Sequence, residues 1–234
     1  MQNKEYLQKL QLVPTADGSM SIYHSEIGEN YHSKHGAYQE SQHVFVNSGL
    51  LHHQHKHQKN ELSVLEIGFG TGLNFLLSAD AANEHSFSLQ YTGIEAYPLE
   101  FEYIEALNYH QYLKNKNLYS AFKNKYLHAF ENETDITNNI HLKIKHLPLL
   151  NFQTDERYDI IYFDAFAKVH QSDMWTYEAI AHACKFLKDK GIFVTYSVTG
   201  ELKRQLKSLG FEIERPQGAP GKREMMRATL HHVL

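Results

Sequence analysis

Hydrophobic and polar positions follow two successive regimes, and the second, from residue 61 on, is the more regular. SVLEI (63–67) is a short apolar run next to glycines and predicts a buried strand, while Leu73, Leu76 and Leu77 space a helix over 72–82. SLQYTGIEA (88–96) predicts the next strand. A helix over 98–110 opens on Pro98, a residue suited to the first helical position. Residues 117–130 read as helix and 141–147 as strand. YDIIYFDAF (158–166) is almost continuously apolar up to Asp164, the mark of a parallel strand covered on both faces. Lysines in its last turns and Gly191 as a stop predict a helix over 175–191, followed by a strand over 191–197 and a helix over 201–210. The runs 211–216 and 224–230 predict a terminal hairpin. This alternation predicts a doubly wound, Rossmann-like α/β domain with helices on both faces of a parallel sheet.

The first 60 residues have a different pattern. Leu12-Val13 and Ser21-Ile22-Tyr23 flank Asp17-Gly18, a hairpin signal. Ala37, Val44 and Leu51 recur seven apart, which predicts a helix over 36–51 with one apolar face. His52, His53, His55 and His57 then fall in a polar stretch that reads as a loop. The expected organisation is an N-terminal extension, 1–60, packed on a main domain, 61–234.

Composition narrows the class. The chain has 234 residues, 42% hydrophobic and 21% charged, ordinary values for one globular domain. The single cysteine, Cys184, excludes an internal disulfide and a Cys-based zinc site. No apolar run reaches the ~18 residues of a membrane span, and the N-terminus has no signal-peptide core, so a cytoplasmic protein without membrane attachment is expected. The histidine cluster has no interleaved carboxylate, and no metal site is expected there. Formal charge is −4, yet residues 185–234 carry ten Lys/Arg against five Asp/Glu. Lys203, Arg204, Lys222 and Arg223 give this end the sign needed to meet a polyanion; the alternative is a solvated charged surface.

The candidate chemistry begins with Glu66-Ile67-Gly68-Phe69-Gly70-Thr71-Gly72, between a predicted strand and a predicted helix. Alternate glycines permit a tight turn and close backbone approach to a ligand at the helix N-terminus. A dinucleotide fingerprint places its third glycine one position later, where this chain has Leu73. The E-x-G-x-G-x-G spacing matches S-adenosylmethionine sites instead. Glu95 ends the next strand, 23 residues beyond Gly72, where a carboxylate can accept ribose hydroxyls. Phe69 and Asn74, in and just after the turn, complete the candidate cofactor set.

Four segments carry a family resemblance: YHSKHGAYQESQHVF (31–45), LEIGFGTGLNFLL (65–77), FDAFAKVHQSDMWT (163–176) and GKREMMRA (221–228). Through them the chain resembles the methyltransferase domain of the bifunctional tRNA wobble-uridine enzymes of the MnmC family, over nearly its whole length. The resemblance implies a class I S-adenosylmethionine-dependent fold. It also implies methylation, without metal, of the amine of 5-aminomethyl-2-thiouridine in the tRNA anticodon loop. A separate enzyme would supply the aminomethyl group, since the chain stops where the family's fused oxidase half would begin. By position, Gly68, Gly70 and Gly72 would line the cofactor turn, Glu66 would lie beneath it, and Glu95 would hold the ribose. Asp164 would face the acceptor nitrogen, and Tyr31 and Glu40 would close the cofactor or substrate pocket. Two departures stand out. Lys168–Ser172 replaces a proline-containing loop. Lys145-His146 replaces a Gly-Asp strand end, so the adenine would meet His146 or a backbone group.

Asp164, as a catalytic carboxylate, could accept a hydrogen bond from the acceptor amine or take its proton. Phe166 and Trp175 could set ring faces beside the developing cation, or could simply pack in the core. Two other readings remain at this level: the same reaction on a small amine or protein side chain, and a non-catalytic RNA-binding protein on this fold.

Overall fold

The computed structural model describes residues 6–231. Gly18, at φ +83°, turns the chain between β1 (Leu10–Pro14) and β2 (Met20–His24), which pair antiparallel from Leu10↔His24 to Pro14↔Met20. β3 (Glu29–Asn30) adds to β2. The hairpin turn also fixes the next helix. Asp17 accepts from the Ser19 N–H and, through its other oxygen, from the Gln39 N–H in the first helical turn, both at 2.9 Å. A carboxylate at a helix N-terminus is favoured by the exposed N–H groups and the helix dipole.

That helix, α1, starts as Ala37–Glu40, runs through a π-helical stretch Ser41–Leu51 and returns to α form at His52–His57. Three differences from the sequence reading follow. The stretch 41–51 makes i→i+5 bonds, the His52 N–H reaching the Asn47 carbonyl. The widened turn presents the adjacent Val44, Phe45 and Val46, all buried, to the sheet-side core. The histidine segment is helix rather than loop and ends at Gln58 in the left-handed region.

The main sheet then builds as β4 (Glu61–Ile67), α2 (Leu73–Glu84), β5 (Ser88–Glu95), α3 (Phe101–Ala106), α4 (Lys116–Lys125), α5 (His128–Glu131), β6 (Thr134–Thr137), β7 (Ile140–His146), β8 (Tyr158–Phe163), α6 (Tyr177–Cys184), β9 (Leu187–Thr195), α7 (Gly200–Ser208), β10 (Phe211–Glu214) and β11 (Met226–Leu230). Its order is β10-β11-β9-β8-β4-β5-β7-β6. The central five strands are parallel, while β6 and the β10–β11 hairpin join antiparallel at the two edges. All six residues of β8 are buried, as its apolar run requires. Residues of α1 and of the hairpin, including Ile22, Ala37 and Phe45, share one core with β4, α2 and β5.

Two helix boundaries differ from the sequence reading. α3 begins at Phe101, three residues after Pro98. α6 ends at Cys184, and Leu187–Lys190 is already strand. Lys185 caps the helix, but Lys188 and Lys190 lie in the strand beyond it and do not complement a helix terminus. Lys188 Nζ instead reaches Asp159 Oδ2 and Ser63 Oγ, both at 3.0 Å.

Asp159 anchors the sheet end opposite the glycine-rich turn. Its carboxylate is 2% exposed, pairs with Lys59 and Lys188, and accepts from the Ser63 N–H at 2.9 Å. Burial raises its pKa, but the bonds from Lys59, Ser63 and Lys188 together prevail and lower it to about 2. A depressed carboxylate contributes stability that is present above its unfolded value near 4 and lost as pH falls toward 2. Asp159→Asn is expected to lower stability by about 2 kcal/mol at pH 7. Denaturant melts at pH 7 and pH 3 check this, with the deficit shrinking at the lower pH.

Candidate active site

Strand order reverses at β4, and in open α/β sheets ligands bind at the carboxyl ends of the strands at such a point. Here the chain leaves β4 through Gly68-Phe69-Gly70-Thr71-Gly72. The three glycines lie at φ +87°, +51° and +74°, a region that costs other residues energy. A Cβ on Gly68 would stand 2.5 Å from the Asp164 carbonyl oxygen, so the exits of β4 and β8 touch here. The Gly68 and Phe69 N–H groups donate to the Ile94 carbonyl at 3.0 and 3.1 Å, and the Asp164 N–H donates to the Ile67 carbonyl at 2.9 Å. Glu95 closes the turn from the neighbouring strand, accepting from Gly70 N–H at 2.8 Å and Tyr97 N–H at 2.9 Å. Burial raises the pKa of Glu95, against these backbone donors.

A cavity of about 340 Å³ lies over this turn. Gly68–Thr71 and Asn74 form its floor, with Glu95–Tyr97 and the apolar Leu147–Leu149 on one side and Asp164–Phe166 on the other. Tyr6, Ile27 and Tyr31 roof it from the N-terminal residues. The Tyr6 and Tyr31 hydroxyls are hydrogen-bonded at 2.7 Å, and the Tyr6 ring stacks on Tyr97 at 4.8 Å. A second cavity of about 410 Å³ adjoins the first. Tyr31 and Phe166 line both, their rings edge-on at 5.2 Å.

Beneath the first cavity, Asn74 Nδ2 donates to Glu66 Oε1 and to Asp164 Oδ2, each at 2.8 Å, while the Tyr91 hydroxyl donates to Glu66 Oε2 at 2.9 Å. Asn74 Oδ1 is buried and has no partner among the described residues. Burial, and then the nearby Asp164, push Glu66 well above the usual carboxylate range. Asp164 itself is raised to about 7 by burial and by the charge of Glu40, against the Asn74 bond and the charge of Lys222. His32 bridges Ser21 Oγ at 3.0 Å and Thr71 Oγ1 at 3.3 Å; burial lowers its pKa to about 4, so it is neutral near pH 7.

The structure brings together Gly68, Phe69, Gly70, Asn74, Glu95, Tyr31, Asp164 and Phe166 around the first cavity. Glu66 lies under it, 1% exposed. Gly72 faces the core, where a Cβ would meet Phe122 and Phe69 at 3.2 Å. His146 is exposed and lines neither cavity; Leu147, Pro148 and Leu149 take the place expected of it. Trp175 is buried behind the site, its Nε1 donating to the Phe166 carbonyl at 2.8 Å, and α6 is capped by Thr176, which accepts from the Ala179 N–H. Glu40 lines the second cavity and pairs with Lys222 at 2.8 Å. Lys222 therefore points inward, its Nζ also lying 3.8 Å from the Tyr196 ring centroid. Arg204 and Arg223 are exposed and Lys203 half-buried. Gln171, which lines the first cavity, falls in the Lys168–Ser172 loop already set apart by its departure from the family pattern; sequence reasoning missed Tyr6, Glu29, His32 and Tyr97. Of these only Tyr97, two residues past Glu95, and His32, beside Tyr31, carried a local signal. Among the described residues no group of three or more His, Cys, Asp or Glu is arranged to hold a metal, and no helix is long and apolar enough to cross a membrane.

The strand order and the glycine-rich turn at the switch point define a Rossmann-like domain of the class I methyltransferase type. Residues 107–231 match the family model described as S-adenosyl-L-methionine-dependent methyltransferase, and the chain belongs to that family. Two curated relatives are both named tRNA 5-methylaminomethyl-2-thiouridine biosynthesis bifunctional protein MnmC. That of Burkholderia thailandensis is 28% identical over 213 residues, 85% of this chain and 32% of the relative. That of Pseudoalteromonas atlantica is 26% identical over 242 residues, 95% and 34%. The chain spans about a third of the length of these relatives. The crystal structure of MNMC2 from Aquifex aeolicus matches with a TM-score of 0.73 at 21% identity, over 97% of this chain and 74% of the other, which establishes the shared fold.

Proposed function

We propose that this protein transfers a methyl group from S-adenosylmethionine to the primary amine of 5-aminomethyl-2-thiouridine at the tRNA wobble position. The observation that carries this reading is the placement of Asp164: a carboxylate at the end of a central strand, held by Asn74, lining the cavity over the glycine turn, and pushed up to about 7 by burial and by the charge of Glu40. Both relatives are named for the biosynthesis of 5-methylaminomethyl-2-thiouridine in tRNA, the product this reaction would give. Residues 61–234 act as the methyltransferase domain and 1–60 as an N-terminal extension, from which Tyr6, Ile27 and Tyr31 roof the cavity.

The cavity fits the methyl donor on three counts. Gly68 and Gly70, without side chains, present bare backbone to the cavity. Asn74 Oδ1 is an unpaired buried acceptor suited to the donor's α-ammonium group. Glu95, already fixed by two backbone N–H groups, keeps lone pairs for ribose hydroxyls. When bound, S-adenosylmethionine supplies an electrophilic methyl group on a sulfonium. Asp164, as a carboxylate, takes a proton from the acceptor's ammonium form and so frees the nitrogen lone pair; the methylated nitrogen inherits the sulfonium's positive charge and donates an N–H to the Asp164 oxygen that does not carry the proton. Asn74, anchored on Glu66, fixes the carboxylate's orientation. Tyr31 and Phe166 exclude water and offer ring faces to the cation.

Lys203, Arg204 and Arg223 meet tRNA phosphates. Lys203→Glu combined with Arg204→Glu is expected to weaken tRNA binding about tenfold near physiological salt and to reduce the slope of log affinity against log salt by one to two. Filter binding across a salt series checks this; an unchanged slope removes these residues from the interface. The reading as a whole is tested by incubating the protein with labelled S-adenosylmethionine and tRNA from cells lacking this methylation. Label is expected in the RNA, and its absence alongside normal cofactor binding refutes the acceptor.

A further inference from the structure

The second cavity, adjoining the methyl-donor cavity through Tyr31 and Phe166, lacks an assigned occupant, and its chemistry identifies one. Tyr31, Phe166 and Tyr196 give it aromatic walls, the surface on which an unstacked base is held. Its charges are unequally engaged. Glu40 is used on both oxygens, accepting from Lys222 Nζ at 2.8 Å and from the Ser33 N–H at 2.9 Å. Lys222 is held between Glu40 and the Tyr196 ring. Lys34 and His35 are exposed at the outer lip.

Glu29 differs. It lies on β3, and its Oε2 accepts from the Ala167 N–H at 2.9 Å, which places it beside the segment that carries Asp164 and Phe166. Among the described residues it forms no ion pair, and its other oxygen receives no hydrogen bond. Its negative charge acts on both Asp164 and Tyr196. We propose that this cavity is the acceptor chamber, taking a flat heteroaromatic ring with a cationic aminomethyl arm, and that Glu29 selects the positive charge of that arm. This rests on the reading above that an amine is methylated. Glu29 acts on binding, drawing the ammonium toward the Tyr31–Phe166 aperture; Asp164 takes the proton beyond it. A neutral arm of the same shape, such as a hydroxymethyl group, gains nothing from Glu29.

The test uses two probes of one shape, benzylamine and benzyl alcohol, titrated by calorimetry at pH 7 into the protein loaded with S-adenosylhomocysteine. Glu29→Gln keeps a carbonyl oxygen for the Ala167 N–H and removes only the charge. Wild type is expected to bind benzylammonium at least tenfold more tightly than the alcohol. Glu29→Gln is expected to narrow this to threefold or less, with S-adenosylhomocysteine affinity unchanged. A preference that survives in Glu29→Gln, or is absent from wild type, overturns the proposal, as does a crystal structure placing benzylamine outside this cavity. Neither probe contains RNA. Loss of the preference therefore speaks to the chamber, and failure to label tRNA speaks to the acceptor reading.

Discussion

Asp164→Asn is expected to slow methyl transfer by 100-fold or more while leaving affinity for S-adenosylhomocysteine within about threefold. General-base assistance contributes typically 10²–10⁴-fold. Asparagine preserves the shape of the site, since its carbonyl oxygen still accepts from Asn74 Nδ2. The wild-type dependence of kcat/KM on pH should rise through an acid limb near pH 7, where Asp164 loses its proton, and the variant should lack that limb. Stability supplies a second signature of opposite sign. A carboxylate whose folded pKa is raised contributes stability below its unfolded value near 4, and this is lost as pH rises through 7. Asp164→Asn is therefore expected to be more stable than wild type at pH 8, on the order of 2–4 kcal/mol, with the two converging below pH 4. Thermal melts at pH 8 and pH 4 measure this. A variant with full turnover, or one less stable at pH 8, removes Asp164 from the proposed role.

Gly68→Ala is expected to abolish measurable cofactor binding, or weaken it 30-fold or more, and to cost roughly 2–4 kcal/mol of stability. Two independent effects add: the residue sits at φ +87°, and the new Cβ would lie 2.5 Å from the Asp164 carbonyl oxygen. That oxygen is backbone and cannot rotate away. The β4 and β8 exits would have to separate, misplacing both the turn and the Asp164 side chain. Gly70→Ala provides the comparison. It also has positive φ, but the nearest atoms to its Cβ belong to the Tyr31 ring, at 3.2 Å, with the Gly68 carbonyl oxygen at an ordinary 3.9 Å, and the smaller stability loss is expected there. Calorimetry with S-adenosylhomocysteine and thermal melts on both variants decide the order.

The turn and Glu95 were legible in the sequence because their constraints are local. Positive φ demands glycine within a few residues, and the strand that ends in Glu95 is a fixed distance downstream. The parallel centre of the sheet was legible for a similar reason, since β8 must be apolar on both faces. The misread segments depend on distant partners. KFLKDK looked like the end of a helix, but Leu187 pairs with Tyr158 and Lys188 reaches Asp159, and those contacts override local pattern. The heptad of Ala37, Val44 and Leu51 is compatible with an α-helix; only packing on the sheet reveals the widened turn. Lys222 read as a surface cation because nothing nearby in sequence announces Glu40, 182 residues away. Glu29 and the second cavity are products of folding the N-terminal hairpin onto the 165–167 segment, and no motif marks them.

In the proposed reaction the wobble-uridine amine receives the methyl group at the cavity governed by Asp164. The most direct test of that reaction is nucleoside analysis of tRNA after incubation with the protein and labelled S-adenosylmethionine. All label should co-elute with 5-methylaminomethyl-2-thiouridine as 5-aminomethyl-2-thiouridine disappears, and Asp164→Asn should give almost none. Label in any other nucleoside, or an equal yield from Asp164→Asn, would contradict it.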